Sequence, residues 1–209
     1  MIYAEHILIC VAAPLVIALA FTKGASRRFT ASVLAGMGVC LLAAYISSFI
    51  NLLTGIGEAQ TKVFISPAVE EIMKLVPLLF CLFLLGMDEK GMLLMAVGVG
   101  TGFAIFENCC YLAVPEMRSF AFVAVRGFAV GVMHVVSAVS LALGLALARR
   151  FKAVTLSGIL GALSLSATFH GLYNLLVSYP GVPAAIGYAL PLLTAALLNV
   201  SFSRFHIMD

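Results

Sequence analysis

Seven apolar runs, each roughly the 20 residues needed to cross a hydrocarbon core about 30 Å thick, fill most of this chain. They fall near residues 3–22, 31–53, 67–86, 92–114, 120–147, 154–178 and 184–202, separated by short polar connectors such as "KGASRR", "DEK" and "YPGVP". The expected fold is therefore all-α: a polytopic membrane protein with about seven transmembrane helices. Composition agrees, since 63% of residues are hydrophobic, 10% are charged and the mean hydropathy is +1.16, which excludes a soluble domain with a charged shell. The first run carries Glu5 and lacks a basic leader, so it reads as a retained span and not as a signal peptide. The five cysteines lie inside apolar runs without zinc or disulfide spacing and read as small buried hydrophobes.

Basic residues alternate from connector to connector. Lys23, Arg27, Arg28, Lys90, Arg149, Arg150, Lys152 and Arg204 fall on one side, against Lys62 and Arg118 on the other. Cytoplasmic loops retain lysine and arginine, so the N-terminus is expected outside and the C-terminus in the cytoplasm. The same rule accounts for the net charge of +3 without an acidic partner, and nucleic acid binding gets no support.

Ionisable side chains are costly in lipid, so those inside the spans indicate where function lies. The third span has Glu70, Glu71 and Lys74; the fourth Glu107, Asn108 and Tyr111; the fifth Arg126 and His134; the sixth His170, Tyr173 and Asn174. The outer spans have far less, which puts a polar site among helices 3 to 6. Glu70 with Lys74, Glu107 with Tyr111, and His170 with Asn174 are spaced i, i+4, so each pair shares one helix face. At 1.5 Å per residue, Glu70 lies about 5 Å from Pro67, Glu107 about 12 Å below Pro115 and His170 about 13 Å below Tyr179. Those depths suit one pocket in the outer half of the bilayer. His134 is about 22 Å along from Ser119, in a longer span whose tilt the sequence leaves open. The glycine pairs Gly98/Gly102 and Gly127/Gly131 read as close helix contacts.

Two carboxylates and two histidines in a low-dielectric pocket are a kit for hydrolysing an amide: a glutamate takes a proton from water, and histidine or asparagine donates to the developing oxyanion. Lys74 and Arg126 supply compensating charge, and Glu107 can orient a histidine. Other readings use the same residues. An ion- or proton-coupled transporter also places ionisable groups in membranes, although the two halves of this chain show no internal repeat. Glu107 with Arg126 could be a structural interhelical pair, and a receptor or scaffold would leave the glutamates and histidines without a task.

In order along consecutive spans, "EEIMK" (Glu70 to Lys74), "GFAIFENCCY" (Gly102 to Tyr111), "RGFAVGVMH" (Arg126 to His134) and "HGLYN" (His170 to Asn174) resemble the PrsW family of intramembrane proteases. That family is related to the CAAX prenyl proteases of the Rce1 type and the Abi (CPBP) group. The CAAX-type group has an arginine one place after the position of Lys74 and a second motif ending in histidine, so PrsW is the nearer resemblance. It implies one membrane protease domain over residues 1–209 with a catalytic core at about 60–178, hydrolysing a peptide bond of a membrane-anchored protein, with anti-sigma factors the associated substrates. Glu70 would activate water, assisted by Glu71; His134 would bind or polarise that water; His170 and Asn174 would hold the oxyanion. Lys74, Glu107, Asn108, Tyr111 and Arg126 would support them. No cofactor is required by this scheme. Zinc stays open, with Glu70, His134 and His170 as candidate ligands, because two glutamates and two histidines can supply a tetrahedral site, though no HExxH helix is present.

Overall fold

Every apolar run is helical in the computed structural model, which describes residues 3–113, 119–151 and 155–204. Pro115, Arg118 and Lys152 and the side chain of Arg204, on which the depth and loop-charge readings draw, lie outside the described residues. Lipid offers backbone groups no hydrogen-bond partner, so a spanning segment must satisfy them within itself, and helices do that. The elements are α1 (Ala4–Phe21), α2 (Gly24–Thr54), α3 (Glu58–Gln60), a π-helical turn at Thr61–Ile65, α4 (Ser66–Phe83), α5 (Glu89–Leu112), α6 (Phe120–Val125), a second π-helical turn at Arg126–Val130, α7 (Gly131–Arg150), α8 (Thr155–Val177) and α9 (Val182–Arg204). Six of the resulting rods, with α6 and α7 counted as one, are long and apolar enough to span a membrane. The seventh, α4, has 18 residues, about 27 Å of helix, and carries the three charges of "EEIMK". The chain is thus an all-α polytopic membrane protein.

Helix ends are set by local chemistry. Gly55 takes a left-handed φ of 65° after α2 and its N–H donates to the Asn51 carbonyl, which stops the helix. Asp88 caps α5 by accepting from the Gly91 N–H at 2.9 Å, and Ser119 caps α6 by accepting from the Phe122 N–H at 3.3 Å. Two connectors differ from expectation. The "KGASRR" segment is helical from Gly24, because alanine and arginine extend a helix readily once the apolar run below has nucleated it. The polar connector "TGIGEAQTK" between the second and third apolar runs is helical from Glu58, running through the first π turn directly into α4.

The centre of the bundle is α5, packed between α2 and α7, with α8 on the far side of α7 and α4 bridging α2 and α8. One apolar cluster joins Leu78, Met92, Val99, Leu141 and Leu145; another joins Met37, Val69, Phe103 and Phe106. The outer helix α1 buries no residue, as a lipid-facing helix would. Glycine sets the spacing at the centre: a Cβ on Gly102 would run into the Val33 carbonyl of α2, and one on Gly98 into Ser32 Oγ. A Cβ on Gly100 would lie 2.6 Å from the carbonyl oxygen of His134 on α7. Gly98 and Gly102 therefore act as expected, whereas a Cβ on Gly127 or Gly131 would meet nothing within 4 Å among the described residues, so these two bring no helix close there. Gly102→Val is expected to force α2 off α5 and destabilise the fold by about 1–3 kcal/mol. Thermal unfolding in detergent measures it; an unchanged midpoint would mean the two helices do not pack this closely.

A buried polar network and its cavity

Four helices meet at a chain of charges, and Lys74 is its hub. With 0% of its side chain exposed, Lys74 spends all three ammonium protons: it donates to Glu71 Oε1 at 2.6 Å, to His134 Nδ1 at 2.8 Å and to Ser137 Oγ at 3.0 Å. Glu70 and Lys74 share a helix face by their i, i+4 spacing, but the ammonium bonds Glu71, three residues before it, on the side of α4 that also meets Ser137 of α7 and, through Glu71, His170 of α8.

These bonds fix both histidine tautomers. A lysine ammonium only donates, so His134 Nδ1 accepts and its proton sits on Nε2, which donates to Glu107 Oε2 at 2.7 Å. His170 Nδ1 donates to the same Glu71 Oε1 at 2.9 Å, so its Nε2 is left as a lone pair. That Nε2 lies 3.7 Å from Glu70 Oε2, and the two imidazoles meet edge to face with centroids 5.2 Å apart. His134 thus reaches the level of the other polar groups, the point its long span left open.

Glu107 carries the network outward. Its Oε1 lies 2.8 Å from Arg126 Nη2 as a charge pair off hydrogen-bond geometry, and the guanidinium carbon sits 3.4 Å above the Tyr111 ring. Glu107 therefore both orients a histidine and pairs with Arg126. Asn174 donates to the Lys62 carbonyl at 2.9 Å, tying α8 to the first π turn. Asn108, although next to Glu107, is joined to none of these groups, and its Oδ1 is buried without a hydrogen bond among the described residues.

A cavity of about 1070 Å³ opens beside the network, lined by Glu70, Glu107, Arg126, His134, His170 and Asn174 among others. Its walls come from the segment around the first π turn, from α6 and its π turn, and from α8 and α9. Glu70 Oε2 and Glu71 Oε2 are buried without hydrogen-bond partners among the described residues. The two differ in setting: Glu71 is held by Lys74 and His170, whereas Glu70 lines the cavity with its oxygen uncommitted.

Two contributors escape the sequence reading. Ser137 accepts from Lys74 and donates to the His134 carbonyl at 3.1 Å, and Ser166 donates to the Ser137 carbonyl at 3.3 Å. Hydroxyls in helices commonly bond their own backbone, so nothing in a bare serine marks it, although the i, i+3 spacing of Ser137 from His134 puts both on one face.

Metal-ligand chemistry is available in the donor types. One ligand atom each from Glu70, His134 and His170 lie within 4.8 Å of one another. Glu70 Oε2 and His170 Nε2 are free to ligate, whereas His134 would have to surrender its bond to Lys74 or to Glu107.

The chain is thus an all-helical membrane protein that encloses paired carboxylates, oriented histidines and an adjoining cavity. The family model described as PrsW family intramembrane metalloprotease matches residues 14–201, and the chain belongs to that family of intramembrane proteases. No curated protein and no solved structure matches it.

Proposed function

We propose that this protein hydrolyses a peptide bond of a membrane-anchored protein with a water activated by Glu70, and that an anti-sigma factor is the class of substrate. The observation that carries the reading is the contrast between the two adjacent glutamates: Glu70 lines the cavity with a side chain 16% exposed and no hydrogen bond to its Oε2 among the described residues, while Glu71 is fully buried and held by Lys74 and His170. Glu70 takes a proton from water as the water oxygen attacks the scissile carbonyl carbon; the carbonyl electron pair moves to oxygen, and the C–N bond breaks as the proton passes to the leaving nitrogen.

His170 accepts a hydrogen bond from that water through its free Nε2, with Glu71 fixing its ring in the manner of a carboxylate behind a histidine. This moves the water contact first given to His134 onto His170, because both ring nitrogens of His134 are engaged by Lys74 and Glu107. His134 then holds Glu107 and, through it, Arg126 at the cavity wall. Asn174 donates to the oxyanion with the amide proton not given to Lys62. Were zinc held by Glu70, His134 and His170, it would supply a Lewis acid that makes water nucleophilic at neutral pH. The protease domain comprises residues 1–209 with its catalytic core at about 60–178. The loop charges favour an outside N-terminus, a cytoplasmic C-terminus and a site in the outer half of the bilayer.

Proteolysis of a panel of single-span membrane substrates by the purified protein in liposomes tests this. Wild type is expected to cut at least one anti-sigma-like substrate and to keep doing so after chelator treatment, with Glu70→Gln inactive. Loss of cleavage on chelation, restored by zinc, would replace the glutamate-only scheme with a metal-dependent one. Equal cleavage by wild type and Glu70→Gln would remove Glu70 from the chemistry.

A further inference from the structure

Tyr173 is 2% exposed, yet its hydroxyl is buried with no hydrogen-bond partner among the described residues. Its ring is packed with Ala129, Val130 and Met133, and against Tyr188, so the side chain has a fixed place. Leaving a buried hydroxyl unpaired costs about 1–3 kcal/mol, and a phenylalanine would fill the same space without that cost. The hydroxyl therefore calls for a partner that the folded chain alone does not provide.

Its position says which partner. Tyr173 lines the same cavity as Glu70 and His170, and it follows His170 by three residues, which places both on one face of α8 about 4.5 Å apart along the axis. Most other polar groups around the site are committed; Arg126 is the exception, its Nε and Nη2 having no hydrogen-bond partner among the described residues while its guanidinium is charge-paired with Glu107 and stacked on Tyr111. Lys74 has spent its three protons, His134 Nε2–H is given to Glu107, and His170 presents a lone pair. Asn174 has given one amide proton to Lys62. An oxyanion forming beside Glu70 needs donors, and the Tyr173 hydroxyl is an uncommitted one held rigidly at the cavity wall.

We propose that Tyr173 is a further catalytic residue: its hydroxyl donates a hydrogen bond to the scissile carbonyl oxygen as that oxygen gains negative charge. The inference rests on the protease reading above. The phenolic proton stays on Tyr173 throughout, so the residue stabilises charge and transfers nothing.

Tyr173→Phe tests it in the full-length protein in liposomes, with wild type and Glu70→Gln alongside, reading kcat, KM and the thermal midpoint. Removing one oxyanion donor is expected to lower kcat by roughly 100-fold. KM should change little, because the bond forms only in the transition state, and the midpoint should be equal to wild type or higher. An unchanged kcat, or a raised KM with kcat unchanged, overturns the assignment. So does a clearly lowered midpoint, which would mean the hydroxyl already has a structural partner. If Glu70→Gln is inactive while Tyr173→Phe is fully active, only the Tyr173 assignment fails; if Glu70→Gln cuts like wild type, it is the Glu70 reading that fails, and the kcat of Tyr173→Phe still decides its own case.

Discussion

Glu70→Gln is expected to lower the cleavage rate between about 10² and 10⁴-fold, the range for a general base, while leaving the fold as stable as wild type. Glu71→Gln, one residue on, is expected to lose both. Glutamine matches glutamate in shape but cannot accept the proton of an attacking water. At position 70 little else changes, since Glu70 Oε2 has no hydrogen-bond partner among the described residues and its side chain is 16% exposed at the cavity. At position 71 the carboxylate is fully buried and its Oε1 takes bonds from both Lys74 and His170. Neutralising it leaves the Lys74 charge buried without its ion-pair partner, a defect worth about 3–5 kcal/mol in comparable buried pairs. Cleavage rate and thermal midpoint, measured together on both variants, separate the two roles. A Glu70→Gln protein that melts far below wild type would show that Glu70 is structural, and an active, stable Glu71→Gln protein would show that Glu71 is dispensable.

Much of this was legible before any coordinates. The apolar runs determined the helices because lipid leaves few alternatives, and charges inside them stand out against their surroundings. Glu70, Glu71, Lys74, Glu107, Arg126, His134 and His170, taken from four spans, do meet in one network. What periodicity could not give was the partner of each group. An i, i+4 rule pairs Lys74 with Glu70, but which neighbour a lysine chooses depends on which face of α4 the bundle buries, and that is tertiary information. The two π turns were equally hidden, because one extra residue per turn leaves no mark in hydropathy; each lies directly before a site-bearing helix. Tyr173 stood out only as a polar residue of the sixth span with no role of its own, and Ser137 was passed over, because hydroxyls carry no charge to betray burial. Only geometry reveals that one is unpaired and the other is bonded to Lys74.

Lys74→Met should be the most damaging single change to stability, lowering it by about 3–5 kcal/mol and abolishing cleavage. Methionine fills much of the volume of lysine, so the loss is not mainly one of packing. It comes from three groups left behind at once: the Glu71 carboxylate, the His134 Nδ1 lone pair and Ser137 Oγ, each of which accepts from Lys74. Without a donor on Nδ1 the His134 tautomer is no longer dictated, and the Glu107 contact on the other side of the ring loses its orientation. Adding Glu71→Gln to Lys74→Met removes the stranded charge, and a double-mutant cycle should show the pair more stable than the sum of the single losses. Cleavage should nevertheless stay lost in the double variant, because Glu71 is also what turns His170 Nε2 toward Glu70. Recovery of both stability and cleavage would make the ion pair a folding device with no part in positioning the site. Recovery of neither would place the cost in His134 and Ser137 instead of in the buried charge.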